Sequence, residues 1–107
     1  MGNNQGSVSN GTNNGNVTGG NNSQQMYIGG LAGYNTGTIS YSYNYGTIQA
    51  GNYIAGLDLG GLVGFNAGLI SNSINYGSVL NGKFNTNVNI SGIAGANQGS
   101  IVNSSNK

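Results

Sequence analysis

The chain has no cysteine, proline, tryptophan or histidine, and only three of its 107 residues are charged: Asp58, Lys83 and Lys107. General acid–base catalysis, zinc sites and calcium sites draw on histidine, cysteine and grouped carboxylates. Nucleic-acid binding needs a patch of basic residues, which a net charge of +1 does not supply. The composition therefore predicts a protein that is not an enzyme, with no catalytic, cofactor-binding or metal-binding residues and no nucleic-acid partner.

Two further absences narrow the class of protein. Without cysteine there is no disulfide scaffold, and no apolar run approaches the roughly 20 residues of a membrane-spanning helix. The first ten residues lack the basic and apolar regions of a secretory signal peptide. We therefore expect no membrane span, and the sequence leaves open whether an export signal has been removed, whether another export route is used, or whether there is none.

Glycine, asparagine and serine dominate what is present, with 22, 21 and 12 residues. Disordered chains usually combine low hydrophobicity with high net charge. This chain has little charge and 36% hydrophobic residues, so composition alone does not decide between order and disorder.

A period of 31 residues runs through the chain. Gly37, Gly68 and Gly99 follow one another at this spacing, and one step back leads to Gly6. The sequence divides without gaps into copies 1–31, 32–62 and 63–93 and a partial copy 94–107, which predicts a single repeat domain over residues 1–107. Two asparagine columns share the period: Asn4, Asn35, Asn66 and Asn97, and Asn13, Asn44, Asn75 and Asn106.

Aliphatic residues keep the same register, which a disordered chain would not do. The longest aliphatic column consists of Val8, Ile39, Ile70 and Ile101, and shorter ones contain Ile48, Leu59 and Leu62. Residues 1–25 are the poorest in apolar side chains. They are predicted to form a degenerate first coil, with order only on assembly as an alternative.

The fold class follows from the spacing of glycines. Glycine cuts each copy about every five to nine residues, which excludes helices, and the segments between glycines alternate as strands do. The pattern predicts an all-β protein, a parallel β-solenoid (β-helix) of 31-residue coils, about three strands per coil and three and a half coils. The predicted strands are 26–31, 7–12 and 16–18 with their equivalents, and successive coils would stack at about 4.8 Å.

Strict alternation makes further predictions about side-chain direction. In residues 70–76 it places Ile70, Ile74 and Tyr76 inward, and Ser71, Ser73 and Asn75 outward. The repeating glycines are predicted to supply positive φ angles or close backbone approach at corners. The asparagine columns are predicted to be structural, with stacked side chains hydrogen-bonded to one another, rather than ligand-binding.

The chain resembles the GLUG repeat family. The resemblance is carried by Gly30-Leu31-Ala32-Gly33, its equivalents at 61–64 and 92–95, and the stretch GGLVGFNAGLISNSINYGSV at 60–79. It covers residues 29–49 and 60–80 well and 91–107 in part. The resemblance implies a bacterial, extracellular or cell-surface repeat module of the kind found in adhesin-like proteins, and it brings no catalytic residue.

Open strand edges at the coil ends and the lack of visible caps predict a homo-oligomer or filament formed by end-to-end coil stacking, or the stalk of an adhesin.

The alternative function is a ligand-binding face. Ice binding would use outward serine columns, and sugar binding would use rings such as Tyr34 and Phe65, although alignment predicts that Tyr45 and Tyr76 fill the core or a corner. Asp58 is expected to point to solvent. The serine columns are Ser9, Ser40 and Ser71, and Ser42, Ser73 and Ser104.

Overall fold

The computed structural model describes residues 1–107 and contains short strands and turns but no helix. The chain winds in 31-residue coils, and each coil lies on the next. Equivalent strands pair in parallel and in register, so that Ile70 lies between Ile39 and Ile101. The all-β parallel solenoid predicted from the repeat is confirmed.

Each complete coil contributes five strands. The first coil contains β1 (Asn3–Asn4), β2 (Ser7–Ser9), β3 (Thr12–Asn13), β4 (Val17–Thr18) and β5 (Met26–Gly29). The second contains β6 (Ala32–Asn35), β7 (Thr38–Ser40), β8 (Tyr43–Asn44), β9 (Ile48–Gln49) and β10 (Leu57–Gly60). The third contains β11 (Val63–Asn66), β12 (Leu69–Ser71), β13 (Ile74–Asn75), β14 (Val79–Leu80) and β15 (Val88–Ser91), and the partial fourth contains β16 (Ala94–Asn97), β17 (Ser100–Val102) and β18 (Ser105–Asn106).

Stacking of the coils produces five parallel sheets, numbered here by their order along a coil. Residues 1–25 contribute the first strand of sheets 1 to 4, so they take part in the same ladders as the later coils. Sheet 1 comprises β1, β6, β11 and β16; sheet 2, β2, β7, β12 and β17; sheet 3, β3, β8, β13 and β18; sheet 4, β4, β9 and β14; and sheet 5, β5, β10 and β15.

The coil has five strands where alternation predicted about three. Sheets 4 and 5 correspond to predicted strands, and the predicted strand 7–12 is divided between sheets 2 and 3. The division falls at residue 10 of the coil, where Asn10, Tyr41, Asn72 and Asn103 all have φ between 48° and 58°. Sheet 1 was not predicted, because strands such as Ala32–Asn35 are short and contain glycine.

This left-handed residue also reverses the alternation of side chains. Ile70 is buried before the bend at Asn72, and Ser73 and Asn75 are buried after it, with no exposed surface. Tyr76 is 45% exposed. The predictions that Ser73 and Asn75 face outward and that Tyr76 faces inward are therefore wrong. The residue at positive φ interrupts the strand, and the side chains after it lie on the opposite face from the one that strict alternation predicts.

Two apolar clusters form the core. Leucine and isoleucine side chains from equivalent positions of successive coils fill both clusters, which are continuous along the solenoid axis. The first contains Leu31, Ala32, Ile39, Leu62, Val63, Ile70 and Ala94, with Val8 and Ile101 packed at its ends. The second contains Ile28, Ile48, Ala50, Ile54, Leu57 and Leu59.

The glycines act through close packing and not through positive φ. No glycine in the chain has a positive φ angle, so that part of the prediction is wrong. A Cβ atom at Gly68 would overlap the carbonyl oxygen of Gly37, one coil earlier, and one at Gly29 would lie 2.6 Å from Val63 Cα. Glycine therefore lets successive coils, and the facing sheets 1 and 5, approach as closely as backbone atoms permit.

Replacement of Tyr41 by asparagine is expected to stabilise the fold. Tyr41 has φ 49° and is 53% exposed, so its ring contributes little burial while its backbone occupies a region that asparagine tolerates better. Tyr41→Asn should raise the free energy of unfolding by about 0.5–1 kcal/mol, measured by urea unfolding. The control Tyr45→Asn should lower it, because Tyr45 stacks on Tyr76; equal effects of both substitutions would refute the explanation.

None of the elements is a helix of the length and apolarity that a bilayer crossing requires.

Candidate functional site

Asparagine side chains at coil position 4 form a continuous hydrogen-bonded ladder. Asn35 Nδ2 donates to Asn66 Oδ1 at 2.8 Å. The amide of Asn66 also closes its own turn, accepting from Gly68 N and donating to Gly68 O, each at 3.2 Å. The equivalent bonds from Asn4 to Asn35 and from Asn66 to Asn97 are both 2.8 Å long.

A second ladder runs parallel to the first at coil position 13. Asn44 Nδ2 donates to Asn75 Oδ1 at 2.7 Å, and both side chains are fully buried. They lie against the backbone at Gly30, since a Cβ atom at Gly30 would lie 2.6 Å from the Asn44 amide. The ladder begins at Asn13 and ends at Asn106.

Both ladders have a direction. In each bond the amide nitrogen of an earlier coil donates to the amide oxygen of the next coil. At the first coil, Asn4 Oδ1 accepts only from Gly6 N, and at the last coil Asn97 Nδ2 donates only to Gly99 O. An amide oxygen accepts two hydrogen bonds and an amide nitrogen donates two. The first end face therefore offers acceptors where the last end face offers donors.

The end faces also expose backbone edges. Each strand of β1 to β5 is the edge strand of its sheet on one side, and on the other side β14 to β18 are edge strands. Unpaired N–H and C=O groups of edge strands are templates for pairing with a further strand.

Glycines of the first coil occupy positions where nothing in the chain requires glycine. A Cβ atom at Gly6 or Gly20 would meet no atom within 4 Å, and at Gly15 it would meet only Asn13 Oδ1 at 3.9 Å. One coil later, a Cβ atom at the equivalent residues would overlap the carbonyl oxygen of the glycine in the coil before. These later equivalents are Gly37, Gly46 and Gly51.

The aliphatic column predicted from the sequence lies in the first apolar cluster. Ile39 and Ile70 are fully buried, and Val8 and Ile101 are partly buried because each has a neighbouring coil on one side only. The end faces thus expose apolar as well as polar groups.

The structure places one of the two serine columns in the interior. Ser42 and Ser73 are fully buried, and the Ser73 hydroxyl accepts from Ser42 N at 3.0 Å while donating to Ser71 O. The prediction that Ser42 and Ser73 face outward is therefore wrong, for the same reason as at Asn75.

Aromatic rings stack on one another instead of filling the core. Tyr45 and Tyr76 lie parallel, with centroids 4.9 Å apart, and are 52% and 45% exposed, so of the two predicted positions, core or corner, the core is wrong. Tyr34 and Phe65 stack at the same distance and meet the edge of Tyr27.

Asp58 is placed differently from the prediction. Its side chain is only 7% exposed, because it lies in sheet 5 between the equivalent residues Tyr27 and Asn89. Asn89 Nδ2 donates to Asp58 Oδ1 at 2.9 Å. The expectation that Asp58 points to solvent is wrong.

A known family pattern, the GLUG motif, matches residues 24–49, from the turn before β5 to the end of β9. This range contains Gly30-Leu31-Ala32-Gly33, on which the resemblance was based. No curated protein and no solved structure matches the chain. The third copy keeps the same columns and pairs in register with the matched range, and the partial fourth copy pairs in register with the third.

Proposed function

Because the chain is a β-solenoid that carries the GLUG repeat, we propose that it is a non-catalytic structural module of a bacterial extracellular or cell-surface assembly. Its coil ends stack on coils of other copies to form a filament; in the stalk of an adhesin, the same faces would meet further coils of a longer chain. The bacterial and extracellular setting is an inference from the family. The stacking is an inference from the end faces.

The glycines of the first coil are the observation that carries the proposal. Gly6, Gly15 and Gly20 have free space beside them in the isolated chain. In the same columns, glycine is sterically required wherever another coil precedes it, as at Gly37. A first coil adapted to solvent would not need glycine at these three places, whereas a first coil that receives another coil would.

Hydrogen-bond polarity supports head-to-tail stacking. Asn97 Nδ2 of one copy would donate to Asn4 Oδ1 of the next, continuing the 2.8 Å ladder, and Asn106 would do the same to Asn13. Head-to-head contact would place acceptor against acceptor. A heterologous contact of this kind leads to open filaments when its rotation does not close into a ring.

The last coil determines where stacking begins. Sheets 1, 2 and 3 have four strands, while sheets 4 and 5 have three. A second copy placed in register would therefore pair first through sheets 1 to 3, the sheets that contain both asparagine ladders. The two copies would then be in contact through about three of the five sheets. Because this contact is limited, assembly should depend on protein concentration.

The near absence of charge fits stacked, identical coils. Identical charges in register across neighbouring strands repel one another. The columns that run through every coil consist of glycine, asparagine and aliphatic residues, and the column of Asp58 has tyrosine and asparagine at its other two positions.

Filament formation by the purified chain is the expected result. The molecule measures 34 × 24 × 19 Å, and its four strand layers at about 4.8 Å account for most of the shortest dimension. Electron microscopy should therefore show unbranched filaments about 34 by 24 Å in cross-section, with a strand spacing of about 4.8 Å along the axis in fibre diffraction. Monodisperse monomers at high protein concentration would contradict the self-stacking form of the proposal.

The stacked aromatic rings and the buried serines do not favour the alternative function, a sugar-binding or ice-binding face. In the Tyr45–Tyr76 pair the ring planes differ by 2°, so each ring covers a face of its neighbour that a sugar would need. The buried hydroxyls of Ser42 and Ser73 are likewise withdrawn from an ice-binding surface.

A further inference from the structure

A cleft of about 610 Å³ opens on the outer side of sheet 5, and a glycine, Gly56, is among the residues that line it. Gln25, Gly56 and Asn87 occupy the same coil position in three successive coils. Glycine in the middle coil has no side chain, and the Gln25 amide lies against the place where one would begin. The lining residues are Gln24, Gln25, Ala55, Gly56, Asp58, Asn87 and Asn89.

The only side-chain carboxylate of the protein lines this cleft. Asp58 is 7% exposed, and its one hydrogen-bond partner in the chain is Asn89 Nδ2, on Oδ1. No fully buried side-chain oxygen in the structure lacks a partner. The second carboxylate oxygen, Oδ2, is therefore not sealed in the interior and is open to the cleft.

The two asparagine side chains of the cleft already use their amide nitrogens. Asn89 uses its amide nitrogen on Asp58, and Asn87 donates its amide nitrogen to Ala55 O at 3.2 Å. Gln25 Oε1 lies 2.6 Å from where a Cβ atom of residue 56 would be. The cleft thus presents one carboxylate with amide oxygens beside it, and the amides of Gln24 and Gln25 also carry N–H donors.

The one carboxylate, with the amide oxygens beside it, favours a cation that carries several N–H donors. A primary ammonium has three donors and no acceptor, whereas a hydroxyl brings acceptors of its own. Calcium takes six to eight oxygen ligands and generally several carboxylates, and magnesium keeps strict octahedral geometry. We propose that this cleft binds a primary ammonium group, supplied by a lysine side chain or by a small alkylamine. The proposal is independent of coil stacking.

The test is an NMR titration of the native chain with n-butylammonium chloride and, separately, with N-acetyl-lysine N-methylamide. Both should shift the side-chain amide signals of Asn87 and Asn89 in a saturable manner, with millimolar affinity. A stronger effect of the lysine derivative would identify a polypeptide as the source, and equal effects would identify the ammonium group alone as the recognised feature.

Two variants connect the signals to the cleft. Asp58→Asn removes the charge with nearly the same shape and should weaken binding at least tenfold. Gly56→Ala puts a methyl group too close to Gln25 Oε1, so it displaces that oxygen and should also weaken binding. Gly2→Ala, where a Cβ atom meets nothing within 4 Å, is the matched control and should bind as the native chain does.

Several outcomes would overturn the proposal. They are the absence of saturable shifts with either amine, equal shifts with tetramethylammonium, which has no N–H donor, or shifts with calcium but not with amines. Unchanged binding in Asp58→Asn and in Gly56→Ala would also overturn it. Circular dichroism of each variant shows whether its fold is retained, and a variant that unfolds leaves the other to decide.

Discussion

Gly68→Ala is expected to destabilise the fold strongly, whereas Gly6→Ala, in the same column, is not. A Cβ atom at Gly68 would overlap the carbonyl oxygen of Gly37 and lie 2.7 Å from the carbonyl carbon of Thr36. Both are backbone atoms of the preceding coil, so the clash is relieved only by separating the coils. Gly68→Ala should lower the free energy of unfolding by about 3 kcal/mol or more, or abolish a cooperative transition.

The same substitution at residue 6 meets no atom within 4 Å. It reduces the conformational freedom of the unfolded chain, so the monomer should be unchanged or stabilised by up to about 1 kcal/mol. Urea unfolding at low protein concentration, followed by circular dichroism, compares the two variants directly. Equal costs at residues 6 and 68 would mean that the column is not governed by contact between coils.

Asn66→Ala is expected to be the second large effect. Asn66 is fully buried, accepts from Asn35 Nδ2 and Gly68 N, and donates to Asn97 Oδ1. Its removal leaves buried donors of two residues short of a partner, at about 1–3 kcal/mol for each unsatisfied group. We expect a loss of about 3 kcal/mol in the free energy of unfolding, measured by urea unfolding.

Asn97→Ala is the matched control for this ladder. Asn97 accepts the same bond from the coil before it, but its side chain is exposed and water can replace the lost amide. Its replacement should cost about 1 kcal/mol or less. If Asn66→Ala cost no more than Asn97→Ala, burial of the ladder would not be the source of its stabilisation.

The 31-residue period predicted the architecture because, in a stacked solenoid, residues one period apart in sequence lie side by side in adjacent coils. Residues 31 apart are neighbours, so a column of identical residues such as Asn35 and Asn66 is a contact that can be read directly. Strand boundaries within a coil are not encoded in this way. The left-handed bend at coil position 10 is occupied by asparagine in three coils and by Tyr41 in the second, and tyrosine gives no signal for positive φ.

The end faces and the cleft differ in how far the sequence indicated them. Open coil ends follow from any short solenoid, but the polarity of the asparagine ladders and the free space at Gly6 require coordinates. The cleft had a signal that alternation did not use: Gly56 interrupts a column of amides formed by Gln25 and Asn87. The burial of Asp58 was not predictable, since it depends on the side chains of neighbouring strands and not on its own sequence context.

The most direct test of end-to-end stacking compares the native chain with the triple variant Gly6→Ala, Gly15→Ala, Gly20→Ala in sedimentation velocity over a range of protein concentrations. All three methyl groups occupy free space in the monomer or touch only a side-chain atom at 3.9 Å, so the triple variant should be at least as stable to urea as the native chain. The native chain should form large species as the concentration rises, and the triple variant should remain monomeric. Assembly of the triple variant to the same extent as the native chain would contradict stacking on the first coil.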